Sequence, residues 1–153
     1  MADAASELEA LAYRLRLVSD GGLLRELTKA MRDAVSPVQD QVRAGLKPHM
    51  PGRYAEVLDA DLRLGSSVRT AGSDPGVSLT ARSAGKKRKL RRLDSGLLTH
   101  PLFGNREHWY TQEEPSVRPG WFTGPARDAA PQVRAAIEKA LDDVAARAAG
   151  RGA

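Results

Sequence analysis

The sequence predicts an α+β fold in which a small antiparallel sheet packs with a long kinked N-terminal helix and a long C-terminal helix. Three observations carry this. An apolar stripe at three- and four-residue spacing begins at Leu23, a second runs from Ala126 to Ala148, and between them lie short alternating segments punctuated by turn formers. The length of 153 residues fits one domain, because a single core serves roughly 100 to 200 residues.

Residues 1–20 form an N-terminal segment whose stretch Ser6 to Val18 fits two periods. Leu8, Leu11, Ala12 and Leu15 follow helical spacing, whereas Leu11, Tyr13, Leu15 and Leu17 alternate as a strand would. Glu7, Leu8, Glu9 and Ala10 are good helix formers and favour the first. Asp20-Gly21-Gly22 then breaks the segment. The main helix is expected over residues 21–48, with Leu23, Leu24, Leu27, Met31, Ala34, Val35, Val38, Val42 and Leu46 on one face. Ser36-Pro37 looks like an N-cap and a first helical position, so a kink or restart is expected there, and Gly45 and Pro48 end the helix.

Residues 60–118 carry the sheet. Leu62, Leu64 and, after a slip at Gly65, Val68 form one apolar face, followed by Val77 and Leu79 and then Trp109 and Tyr110. Ala71-Gly72-Ser73-Asp74-Pro75-Gly76 predicts a hairpin turn. The C-terminal helix, residues 125–149, places Ala126, Ala130, Val133, Ile137, Leu141, Val144 and Ala148 on one face, and Gly150 stops it. Pro131 is tolerated in a first turn that starts near Asp128, or kinks a helix that starts at Pro125.

Composition narrows the chemistry. With no cysteine there are no disulfides, thiolate zinc sites or cysteine nucleophiles. Asp3, Glu7 and Glu9 stand where a signal peptide would carry basic residues, and no run approaches the roughly 18 apolar residues of a membrane span. A protein that is soluble and cytoplasmic before any assembly is expected. Aromatic residues make up only 5%, so the core is built from Leu, Val and Ala, and such a core buries less area at about 25 cal/mol per Å². Oligomerisation would compensate.

The net charge of +5 is concentrated: residues 51–92 hold 10 Lys/Arg against 4 Asp/Glu, while residues 1–50 hold 7 of each. Its centre is the basic loop 85–92, with Lys86, Lys87, Arg88, Lys89, Arg91 and Arg92. Such a run is either a solvated mobile loop or a contact for DNA phosphates or a partner; its likeness to a nuclear-localisation segment is one of composition only. No aromatic residue interleaves it, so base stacking is not supported.

Catalytic signals are weak. His49, His100 and His108 match no metal-ligand spacing, Glu113-Glu114 lie adjacent on a Pro-bounded loop, and Arg118-Pro119-Gly120 reads as a turn. No catalytic residue, metal ligand or cofactor site is expected, and the chain does not read as an enzyme.

The stretch Leu98-Thr99-His100-Pro101-Leu102-Phe103-Gly104-Asn105-Arg106, then His108-Trp109-Tyr110-Thr111-Gln112, then Val117-Arg118-Pro119-Gly120-Trp121-Phe122-Thr123-Gly124-Pro125 resembles the gene-product-ten family of phage neck, or tail-completion, proteins, especially versions in actinobacterial phages. In that family a strand carrying an H-P-x-F-G-N signature precedes a P-G-W-F or P-F turn into a long terminal helix. The resemblance implies a non-catalytic virion protein assembled in the host cytoplasm. Such a subunit forms a homo-oligomeric ring, a hexamer by family likeness, between head-closure or connector proteins and a tail terminator or tail tube protein. Genomic DNA passes through the channel, and no membrane is involved. A tail terminator of the same neck region, or a small basic non-specific DNA-binding protein, are the alternative readings. The acidic Glu113-Glu114-Pro115-Ser116 departs from the family pattern.

The motif also makes physical sense by itself. Pro119-Gly120 turns the chain so that Trp121 and Phe122 fold onto the sheet where the last helix begins. Trp109, Trp121 and Phe122 are structural or interface anchors: large aromatics are buried on average, and tryptophan is enriched at binding hot spots.

Overall fold

The computed structural model describes residues 10, 13, 21–71, 76–84, 89–102 and 104–150, and it is α+β. Of the ambiguous N-terminal segment only Ala10 and Tyr13 are described, both helical and exposed. The expected turn at 71–76 lies largely outside the described residues.

The elements run α1 (Gly21–Ala44), α2 (Leu46–His49), α3 (Gly52–Asp61), β1 (Leu62–Arg69), β2 (Gly76–Ser83), α4 (Leu90–Asp94), β3 (Leu97–Leu102), β4 (Asn105–Glu113) and α5 (Thr123–Gly150). The strands form two separate two-stranded sheets, β1 with β2 and β3 with β4. In the first, Ser67 meets Ser78 and Thr80 meets Gly65, so residue numbers fall on one strand as they rise on the other and the pair is antiparallel. Both contacts share one register, so the expected slip at Gly65 does not occur, and Leu62, Leu64, Ser66 and Val68 fall on one face.

Packing divides the chain into two compact units: residues 1–37, 66–79 and 130–153, and residues 38–65 and 80–129. In each long helix the division falls within two residues of an interior proline, Pro37 in α1 and Pro131 in α5. Both prolines lack the N–H that would bond the carbonyl four residues earlier. α1 nonetheless continues through Pro37 without a restart, and α5 begins at Thr123, so Pro131 lies in its interior.

The first unit is built on two helix faces. Leu23, Leu27 and Met31 of α1 are buried with Ala140, Leu141 and Val144 of α5, and Val68 and Val77 of the β1–β2 ribbon pack against this cluster. These residues recur every three or four positions because that spacing returns side chains to the same side of a helix. Glu26 and Arg147 form an ion pair joining the two helices.

The second unit buries Val38, Val42, Leu46, Met50, Ala55, Leu58, Leu62, Leu93, Val117, Trp121 and Ala129. At Gly45, directly after α1, a side chain has no room: a Cβ would come 2.9 Å from the Trp121 carbonyl oxygen and 3.2 Å from the Pro125 ring. Arg43 forms an ion pair with Asp59 and donates to the carbonyls of Asp59, at 3.1 Å, and Leu62, at 3.4 Å. A cation there satisfies acceptors that the end of α3 leaves open.

Candidate functional site

The signature stretch folds into a hairpin, a turn and a helix start, held by side chains within it and by Arg92 and Asp94 just before it. β3 and β4 pair antiparallel, with Thr99 opposite Thr111, His100 opposite Tyr110 and Pro101 opposite Trp109, and an irregularity between Pro101 and Leu102. Gly104, at φ +80°, turns the chain between them, a conformation that favours glycine. The hydroxyls of Thr99 and Thr111 lie 2.9 Å apart, and the rings of His100 and Tyr110 meet edge-on with centroids 6.3 Å apart.

β4 is a strand with no buried side chain. Eight of its nine residues are exposed, including Trp109 at 60% and Tyr110 at 52%, and Thr111 is intermediate. Adjacent residues of a strand point to opposite faces, so aromatic surface stands open on both sides. The Trp109 indole N–H donates to the Arg106 carbonyl at 2.8 Å, which lays the ring back along its own strand. At 60% exposed, Trp109 is not a core anchor among the described residues.

The basic segment divides. Lys86, Lys87 and Arg88 lie outside the described residues, and Lys89 is exposed just ahead of α4. Arg91 and Arg92, expected in a loop, belong to the α4 helix. That short helix is held by the buried Leu93 and by Ser95, whose backbone N–H and hydroxyl both donate to the Arg91 carbonyl. Arg92 donates to the Thr111 hydroxyl at 2.9 Å, which brings a cation onto the Trp109 face of the hairpin. Charge by unit is uneven: residues 38–65 and 80–129 hold 14 Lys/Arg against 9 Asp/Glu, and the rest of the chain holds 10 of each. The whole formal charge of +5 thus belongs to the second unit.

Trp121 is 1% exposed and is the largest fully buried side chain. Gly120, at φ +90°, makes the turn that sends it inward, and Phe122, half-buried, meets it edge-on at 5.7 Å. The Gly45 approach places Trp121 beside the end of α1, a neighbour that the expectation of a sheet-facing ring did not include. Its indole nitrogen is buried with no acceptor among the described residues. Asp94, which no sequence signal marked, holds the turn: its carbonyl accepts from Gly120 N–H at 2.8 Å, and its carboxylate accepts from Phe122 N–H at 2.8 Å and Thr123 N–H at 3.1 Å. The acceptor stands 28 residues before its first carboxylate partner, so no local spacing could reveal it.

A groove of about 260 Å³ lies between α2 and α3, lined by Arg43, Leu46, Lys47, Ala55, Glu56, Asp59 and Ala60. The carboxylate of Asp59 is already engaged by Arg43. His49 Nδ1 lies 2.7 Å from the Gly45 carbonyl oxygen, His108 Nδ1 lies 3.2 Å from the Asn105 amide nitrogen, and Glu114 accepts from the Ser116 hydroxyl at 2.9 Å. Among the described residues no three His, Asp or Glu side chains cluster as metal ligands, and no helix is long and apolar enough to cross a membrane. The features gathered here suit binding through a surface: an open aromatic hairpin, a cation beside it and a basic unit. No protein-family model, curated protein or solved structure matches the chain.

Proposed function

We propose that the chain is a structural subunit of the neck of a long-tailed phage, forming a tail-completion ring between the head connector and the tail. One observation carries the reading: strand, Pro-Gly-Trp turn and a 28-residue helix follow one another in the order that the resemblance implies, with the H-P-x-F-G-N residues reaching from the end of β3 to the start of β4. The exposed β4 surface adds support, because a two-stranded ribbon is marginal by itself and gains from a neighbour. Removing the gene from such a phage should leave full heads and finished tails unjoined. Joined, infectious particles formed without the protein would refute the reading.

A second reading, a free non-specific DNA-binding protein, is favoured by the confinement of all net charge to one unit. Binding of the isolated chain to duplex DNA that weakens steeply with salt would support it.

A further inference from the structure

In sequence no aromatic residue interleaves the basic run that ends at Arg92, but the fold brings one beside it. Between Leu97–Pro101 and Trp109–Glu113 the β3–β4 pairing is regular, with each rung following the last by one residue on either strand. Side chains alternate there, so Trp109 and Thr111 share one face and Tyr110 takes the other. Arg92 donates to the Thr111 hydroxyl at 2.9 Å. Its guanidinium therefore lies on the Trp109 face, beside a residue two positions, about 7 Å, along the strand from Trp109. We propose that this face binds single-stranded nucleic acid, with a base stacked on the Trp109 ring and the phosphates on Arg92 and the cations next to it.

The indole is a fixed platform. Its N–H is bonded to the Arg106 carbonyl at 2.8 Å, so the ring is held in place while 60% of the residue stays exposed. That bond also spends the only polar atom of the side chain. What remains to offer a ligand is the π-face, which stacks on any base and reads none of them by hydrogen bonding. Bases inside a duplex are already stacked on one another and lie out of reach of a ring on a strand surface, so the geometry selects a single strand.

Charge points to the same partner. Lys89, Arg91 and Arg92 are exposed, and they belong to the unit that holds the whole net charge of the chain. A phosphate backbone complements such a patch. A protein partner fits less well, because hot-spot tryptophans sit in apolar centres depleted of charge, and Trp109 has a hydroxyl and a cation on its face. Glu107 and Glu113 flank Trp109 along β4 and repel phosphates laid lengthwise on the strand, so the backbone would cross β4 from Trp109 toward Arg92.

The proposal deepens the nucleic-acid reading given above and does not depend on the neck. It is tested by the fluorescence anisotropy of a labelled oligothymidylate, titrated with the full chain at several salt concentrations, beside a duplex of the same length. The single strand should bind more tightly than the duplex. Trp109→Leu should weaken binding to it about tenfold, the loss expected for one stacked base, and leave the salt dependence unchanged. Arg92→Gln should weaken binding and flatten the salt dependence. Tyr110→Leu, which removes the exposed aromatic on the opposite face, should bind as the wild type does. Circular dichroism of each variant separates lost contacts from lost folding. Duplex bound as tightly as the single strand would leave the nucleic-acid reading standing and overturn this one. No binding of the single strand, or a folded Trp109→Leu that binds as tightly as the wild type, overturns it as well.

Discussion

The carboxylate of Asp94 accepts the backbone N–H of Phe122 at 2.8 Å, so the short α4 helix holds the start of the 28-residue α5 helix. The bond satisfies an amide at a helix N-terminus, where partners within the helix are lacking and negative charge is favoured. Asp94→Ala should cost about 1 to 2 kcal/mol in urea unfolding, as loss of a helix cap does. Asp94→Asn keeps an acceptor oxygen without the charge and should cost less.

The two tryptophans should behave oppositely. Trp121→Ala removes the largest buried side chain and should cost about 3 to 5 kcal/mol, whereas Trp109→Ala should change the stability of the single subunit by no more than about 0.5 kcal/mol. Fluorescence offers a second reading. Acrylamide should quench Trp109 in the monomer and leave Trp121, measured in a Trp109→Phe background, largely protected.

Gly45→Ala tests the close approach of two chain segments. Alanine is favoured over glycine in helices by about 1 kcal/mol, yet its Cβ would meet the Trp121 carbonyl oxygen at 2.9 Å. Backbone must shift to make room, so thermal unfolding should move to lower temperature. A rise would show that the segments separate easily.

On the exposed side of α5, Asp143 accepts a hydrogen bond from Lys139 one turn earlier at 2.7 Å. That bond, with the charges of Lys139 and Arg147, holds the Asp143 carboxyl below its ordinary range. A carboxyl depressed in the folded state contributes stability above its unfolded value, and the contribution fades as pH falls through the folded value. Lys139→Ala should therefore raise the Asp143 titration midpoint toward that of a free aspartate, which carboxyl-detected NMR would register.

Replacing Lys86, Lys87, Arg88 and Lys89 with Ser should leave folding intact, since the buried Leu93 and the hydrogen-bonded carboxylate of Asp94 anchor the chain after them. In the proposed neck these charges would face DNA in the channel or an acidic neighbouring ring, and their loss should lower the yield of joined particles. Normal joining would reduce the segment to a solvated face.

The α1 helix was legible because its stripe is long and rich in Leu, Val and Met; every residue from Leu23 through Leu46 that the structure buries was on the expected face. The face of α5 was less legible, since Ala129 and Ala140 are buried and Ala130 is exposed, and alanine signals neither side strongly. The α3 helix went unread because only Ala55 and Leu58 are buried while Val57 is 46% exposed, so its apolar residues mark no clear stripe. α4 was hidden inside a charge run and anchored by one leucine. At the candidate site, Trp121 was legible from its turn. The open face at Trp109 was not, because a strand sequence does not tell whether anything covers it.

The most direct test of the neck assignment is a map of the phage neck at a resolution that shows helices. The account predicts a closed ring of this subunit, about six copies by family likeness, between the connector and the tail, with the long helices recognisable in each copy. A neck holding one copy, a closed dimer, or no density for this protein would contradict it.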